Sequence, residues 1–497
     1  MHLDIIEGFE AFTKLEADWD AMYEADPEAH FFLSFAWLSN WFRSIDCQIF
    51  VLAAKPTADA PAYVAFFPLL LRTERRENGQ FYNEIWMGGA KFAPYTGFTC
   101  VPEYEDGAAI AFAAYIKSIS WATLRLENVF VADKRIRLFL KSFSRTKFVT
   151  ENINRREEGD EIDNDICLYV KLPGDWETYL NNNLGPRTRQ KARRVLRTVE
   201  ESGEFRITHT NGDTLERDLN ILLGFWQARW GPKKGEKLGD ILGNNHNMLT
   251  GCFNSGSLFL PVLWRGETPL AARAALMDTK KRTLICFIIA RDLTVKHPSP
   301  GFVLNAYSIR WAIQNGFTTL DLTMGNHPYK YDFGPEERRI QCIEVSNPKN
   351  HPNLGENLNI MSLGIVLERA MELHNAGNVA EAEQGYRQIL DVDPQYESAL
   401  NLLGQIVAGR GDYDQAEKLF RAFLAVKPDA DKVWFRLGKT LQAQGDREGA
   451  ILSYRKVLQL DPANRDVPPL LAELSPLKDL LRVALGTRPS WMNDGTL

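Results

Sequence analysis

Shifting the sequence against itself by 34 residues brings Gly377, Gly411 and Gly445 into register, then Ala382, Ala416 and Ala450, then Tyr386, Phe420 and Tyr454, then Pro394, Pro428 and Pro462. Such a period restricts the fold more than anything else in the chain. Each unit reads as a helix, a turn at Gly-Asn or Gly-Asp, a second helix with a small residue at the helix crossing, and a proline that stops it. One helical hairpin cannot bury its own apolar stripe, so three in tandem stack into a short solenoid with a concave face suited to a peptide or partner helix.

The third unit adds Trp434, Leu437 and Gly438 in its first helix and resembles the tetratricopeptide pattern. Residues 363–497 are read as three tetratricopeptide repeats plus a capping helix, the cap drawn from 463–497 with its PPLLAELSPLKDLLRVAL, after a linker at 351–362. The array either docks a protein partner or only stabilises or dimerises the molecule.

At 497 residues the chain exceeds one core and divides into about three domains. A net charge of −6 argues against general nucleic-acid binding, and no DNA partner is expected. The opening MHLDIIEGFEAF lacks a basic region followed by an apolar one, and runs such as AYVAFFPLLL reach about half the length a membrane-spanning helix needs. Six scattered cysteines, with no ligand spacing, fit reduced thiols in a cytoplasmic protein without a metal site.

Ahead of the repeats, strands alternate with helices. Strands are expected at 49–54, 62–72 and 81–87 in a first half, residues 1–165, where FFLSFAWLSNWF packs as core or seam. In a second half, residues 166–350, strands are expected at 258–264, 270–277 and 283–290, then a helix, then a strand at 317–324. The fold class is α+β, with mixed, mostly antiparallel sheets, followed by an all-α solenoid.

The helix between those last strands begins in HPSPGFVLNAYSIRWAIQNGF, with Ser299 at the N-cap, Pro300 at the first helical position and Gly316 past the end. No Asp or Glu occurs from His297 to Ile309, so nothing acidic answers the positive end of its dipole. The amides of Gly301, Phe302 and Val303, with Lys296 upstream, make a candidate phosphate site. Plain capping is the alternative.

The segment PGFVLNAYSIRWAIQNGF followed by DLTMGNHPYK resembles the CelD-like acetyltransferases associated with bacterial cellulose and exopolysaccharide synthesis, a branch of the GNAT superfamily. The match rests on Pro300, Gly301 and Leu304, then Ala312 and Gly316, then Asp321, Gly325, Tyr329 and Lys330, over roughly residues 30–340. The general superfamily signature, Arg/Gln-x-x-Gly-x-Gly/Ala, is absent, and SPG stands in its place. The resemblance implies two tandem GNAT-like halves, acetyl-CoA as donor, a saccharide-type acceptor, and a donor site in the second half.

Acyl transfer from a thioester needs a proton acceptor, a proton for the leaving thiolate and support for the oxyanion. Asp321, Tyr329 and Lys330 are the catalytic candidates. Asp321 shares a strand face with Thr319 and Thr323, which makes it either surface-facing, or a base or loop holder in a cleft. Tyr329 could protonate the thiolate, and Lys330 could bind an acidic substrate group or the CoA phosphates. His327 and Tyr95, the latter in GGAKFAPYTGF, are substrate-binding candidates against readings as a solvated loop residue and as packing.

Residues 185–203 carry Arg187, Arg189, Lys191, Arg193, Arg194 and Arg197 with no acid between them, on a helix closed by Gly203. Arg189 and Arg193 are candidate contacts to a polyanion, against a solvated helix face. Three functions follow: an acyl-CoA-dependent N- or O-acyltransferase on a sugar or envelope precursor; a Fem-type aminoacyl transferase using aminoacyl-tRNA; or a non-catalytic scaffold with the repeats as its working part.

Overall fold

Alternation of apolar residues puts the strands where the sequence expects them. The computed structural model describes residues 1–45, 47–90, 92–144, 147–153, 161–346 and 358–474. In chain order the principal strands are β1 (His2–Glu7), β2 (Gln48–Lys55), β3 (Ala65–Arg75), β4 (Phe81–Met87), β5 (Thr123–Phe130), β6 (Ile166–Lys171), β7 (Phe205–His209), β8 (Pro261–Arg265), β9 (Thr268–Asp278), β10 (Thr283–Arg291), β11 (Thr319–Met324) and β12 (Glu336–Ser346). Hydrogen-bonded neighbours run β1-β2-β3-β4-β5-β12-β6-β11-β10-β9-β8-β7, with short strands attached at the side.

The two halves share this one sheet through a strand the sequence did not announce. Along β12, Glu336–Arg339 pair with β6 of the second half and Ile340–Ser346 pair with β5 of the first. Helices α1 (Phe35–Arg43), α2 (Trp176–Asn183), α3 (Pro186–Glu201), α4 (Leu215–Lys234), α5 (Leu238–Asn254) and α6 (Pro300–Gln314) cover its faces. The aromatic run at α1 is both core and seam: Trp37 and Trp41 pack in one cluster with Leu219 and Met248, and Asn40 donates to the Met248 carbonyl at 3.2 Å. On the opposite face, α3 and α6 pack on β9 to β11 through Val195, Leu196, Leu304 and Ile309.

By its internal contacts the chain forms two units, one holding both halves and one holding the repeats together with residues 73–84 and 120–122. The repeat helices are α7 (Leu363–Asn375), α8 (Val379–Val392), α9 (Glu397–Gly409), α10 (Tyr413–Val426), α11 (Asp431–Gln444), α12 (Arg447–Leu460) and α13 (Val467–Glu473). Gly377, Gly411 and Gly445 follow the first helix of each pair at φ +84°, +87° and +86°, a left-handed turn that a side chain would strain. Ala382, Ala416 and Ala450 are fully buried at the crossings. Of the expected linker, residues 351–357, and of the expected cap, residues 475–497, lie outside the described residues.

Candidate active site

β10 and β11 run parallel and pair at Thr283–Thr319, Leu284–Leu320 and Ile285–Asp321; their pairing stops there. The next carbonyl along β10, that of Cys286, accepts from the Thr323 hydroxyl at 3.4 Å. Thr323 lies at φ +58°, and the pairing of β11 with β6 shifts register between Asp321 and Thr323. A β-branched residue in that conformation is strained by roughly 1–2 kcal/mol. Its amide donates to Asp321 Oδ1 at 2.7 Å, so the aspartate side chain holds the turn that parts the strands.

Asp321 is 3% exposed, which excludes the surface-facing reading. The first half covers that face of the sheet: the Tyr95 hydroxyl donates to Asp321 Oδ1 at 2.8 Å, and Arg338 Nη2 donates to Oδ2 at 2.5 Å. The Arg338 guanidinium lies 4.4 Å from the Tyr95 ring centre and 4.6 Å from that of Phe130. Both carboxylate oxygens are thus taken up by protein donors, an arrangement that fits a clamp between the halves better than a base. Tyr95, expected to meet substrate, commits its hydroxyl to this clamp, and burial followed by the Asp321 charge holds its pKa well above the usual phenol range.

Beyond the last pair, the parted strands bound a cavity of about 200 Å³. Lys330 reaches into it and is 5% exposed; its Nζ donates to the Met324 carbonyl at 2.6 Å and to that of Thr323 at 3.4 Å. Burial pushes its pKa down to about 8. This corrects the expectation that Lys330 reaches out to phosphates: its ammonium is tied inside. Tyr329 and His327 line the same cavity with rings stacked 5.8 Å apart. Tyr329 is 44% exposed overall, and desolvation where it lines the cavity raises its pKa; desolvation with Lys330 nearby lowers that of His327. The sequence reading missed Arg273 here, a buried cation on β9; its signal was one charge within the apolar run LAARAALM.

At the start of α6, Ser299 occupies the N-cap, but its hydroxyl caps no amide; its carbonyl accepts from Val303 N at 3.0 Å. The amides of Gly301 and Phe302 have no acceptor among the described residues. Val303 drops out of the candidate site, since its amide is closed into the helix and its side chain is fully buried. The Phe302 ring is core, 5.3 Å from that of Phe333, so its amide alone is left for the candidate site. Lys191 Nζ stands 3.9 Å from the Phe302 ring centre, and Lys296 is exposed. A Cβ on Gly301 would lie 3.5 Å from Arg291 Cδ, so that cation also borders the open turn.

The arginines chosen on α3 are used structurally. Arg189 donates to Asn181 Oδ1 at 3.0 Å and to the Leu184 carbonyl at 3.2 Å, fastening α3 to α2, and Arg193 pairs with Glu177. Both also line an open cavity of about 630 Å³ along α3, with Arg194 and Arg197. Arg187, Arg193, Arg194 and Arg197 are the exposed members of the row.

On the other face of the sheet a cavity of about 1090 Å³ opens between the halves, bordered by Tyr95, Asp321 and Arg338. Alternation separates it from the smaller cavity, because Ile285 and Asp321 line one while Cys286 and Leu322 line the other. His30 also borders the larger cavity. Burial, with Arg338 adding to it, lowers its pKa to about 3, and its Nδ1 has no partner among the described residues.

Residues 186–331 match the acetyltransferase (GNAT) domain, and residues 367–416 and 408–465 match the tetratricopeptide repeat. The chain therefore carries a GNAT-type acyltransferase domain and tetratricopeptide repeats. Similar solved structures include FemX, at 10% identity and TM-score 0.47, covering 66% of this chain and 95% of that one. A conserved protein of unknown function from Bacteroides thetaiotaomicron is similar at 13% identity and TM-score 0.41, covering 67% of this chain and 97% of its own. An O-GlcNAc transferase mutant from Thermobaculum terrenum is similar at 29% identity and TM-score 0.20, covering 21% of this chain and 20% of that one. No curated protein matches the chain. Among the described residues, no helix is long and apolar enough to cross a membrane.

Proposed function

We propose that the first unit is a cytoplasmic acyl-CoA-dependent N- or O-acyltransferase, with acetyl-CoA or a related thioester as donor and a saccharide-type envelope or exopolysaccharide precursor as acceptor. The repeats dock it to a protein partner. The carrying observation is the parting of β10 and β11 after Ile285 and Asp321, beside an α6 whose first turn is open and bordered by cations. A pyrophosphate on the Gly301 and Phe302 amides directs the thioester toward the gap.

In this reading Asp321 holds the gap open, and Tyr329 at its edge supplies the proton to the leaving thiolate, a phenol being protonated at neutral pH. The 1090 Å³ cavity on the opposite face takes the acceptor, with His30 Nδ1 as a hydrogen-bond acceptor for a hydroxyl. The DLTMGNHPYK resemblance to the cellulose-associated branch supports a sugar acceptor.

The test is calorimetry with CoA on the wild type and on Gly301→Asp, which sets a carboxylate against the open turn. Binding by the wild type that Gly301→Asp loses while staying folded supports the reading. A wild type that binds no CoA sinks it.

Exposed Arg187, Arg194 and Arg197 support a second reading, an aminoacyl-tRNA donor. Affinity for tRNA would then fall steeply with salt as counterions are released; tRNA binding that is absent at low salt rules this out.

A further inference from the structure

Arg273 is 3% exposed and borders the cavity between β10 and β11. One of its nitrogens, Nη2, donates to Asn305 Oδ1 on α6 at 2.6 Å. Its Nε and Nη1 have no partner among the described residues. A guanidinium does not shed its proton, so a buried, partly unbonded one is costly until something negative meets it. Lys330 brings a second buried cation to the same cavity, and Arg229 and His327 stand at its border. No Asp or Glu is among the residues that line it. Asp321, next in sequence to Leu322 of the lining, is already paired with Arg338.

A plain acetyl group would bring one carbonyl oxygen to this place and no charge. A carboxylate brings two oxygens and the missing charge, in the planar form that a guanidinium binds best. We infer that the acyl group delivered into this cavity ends in a carboxylate: the donor is the CoA thioester of a short dicarboxylic acid, and Arg273 is the residue that selects it. This rests on the acyl-CoA reading above and names its donor class; the cavity of about 200 Å³ suits a short chain.

The experiment is calorimetry with CoA, acetyl-CoA and succinyl-CoA on the wild type and on Arg273→Met, a substitution that keeps length and removes charge. The expected result is that the wild type prefers succinyl-CoA over acetyl-CoA by about tenfold or more, from one charge-assisted bidentate contact. Arg273→Met then levels the two thioesters while CoA itself, having no acyl group, binds both proteins alike. Equal wild-type affinity for both thioesters overturns the inference and leaves the acyl-CoA reading standing. Failure to bind CoA or either thioester overturns both. The wild-type comparison needs no variant, so it decides even where Arg273→Met does not fold.

Discussion

The carboxylate of Asp321 accepts the amide of Thr323 at 2.7 Å, and by doing so keeps a β-branched residue at φ +58° at the point where two parallel strands part. If that conformation is strained, glycine at 323 should be the better of two small replacements. Thr323→Gly and Thr323→Ala both lose the hydroxyl bond to Cys286, but only alanine keeps the strain. Thr323→Gly is expected to be more stable than Thr323→Ala by about 1 kcal/mol, opposite to the usual order. Denaturant unfolding of the pair measures it, and an alanine variant as stable as the glycine variant would show that the turn costs nothing.

Asp321→Asn separates a clamp from a base. The amide keeps an acceptor for Thr323 and loses the charge that faces Arg338, whose side chain is 33% exposed and so still partly solvated. A loss of about 1–3 kcal/mol is expected, with a larger loss for Asp321→Ala, which removes all three hydrogen bonds. Turnover per folded molecule should fall by less than about tenfold, whereas removal of a general base costs about a hundredfold or more. A fall of the larger size in well-folded Asp321→Asn would return Asp321 to the chemistry.

The repeats were legible because their information is local and periodic: a glycine that must adopt positive φ and a small residue at each crossing recur at one spacing. Strands β2 to β4 and β8 to β11 were legible for the same reason, through alternation and turn residues. Asp321 was placed on the correct face of its strand, but that face is buried by Tyr95 and Arg338, which lie 226 and 17 residues away in sequence. The partners of Arg189 and Arg193 come from the preceding helix, so a row of charges read alone looked free. Lys330 and Arg273 gain their meaning from enclosure, which no spacing encodes.

Lys330 makes stability depend on alkaline pH. Its folded pKa is near 8, against an ordinary value of 10.5, because burial disfavours the charged form. Between those values the unfolded chain binds a proton that the folded chain has released, so stability rises with pH across the window. The slope contributed approaches about 1.4 kcal/mol per pH unit and vanishes below pH 8, where both states are charged. Buried Cys100, Cys167, Cys252 and Cys286, with pKa values raised by burial, pull stability down over the same window in both proteins, so from pH 7 to about 9.5 the wild-type unfolding midpoint should gain on that of Lys330→Met. Parallel curves would mean that the lysine keeps its ordinary pKa.

Two glycines in the first helices of successive repeats should respond to alanine with opposite signs. In an open helical position Gly→Ala stabilises by roughly 0.5–1 kcal/mol, because alanine restricts the unfolded chain and suits the helix. Gly409, at the exposed end of α9, has nothing within 4 Å of its missing Cβ and should follow that rule. Gly438 is buried in α11, where a Cβ would lie 2.6 Å from Tyr454 Cε1 and 2.7 Å from Cδ1. Tyr454 is itself fully buried and its hydroxyl donates to Gln442 at 2.8 Å, so the ring has little freedom to retreat. Gly438→Ala should therefore destabilise by about 1–3 kcal/mol through overpacking, as should Gly404→Ala against Phe420. Thermal unfolding of the intact chain, followed by calorimetry and by the loss of helical circular dichroism, reads the sign directly. A stabilising Gly438→Ala would mean that the ring shifts freely, and that the recurring small residue reflects helix preference rather than the close crossing of α11 and α12.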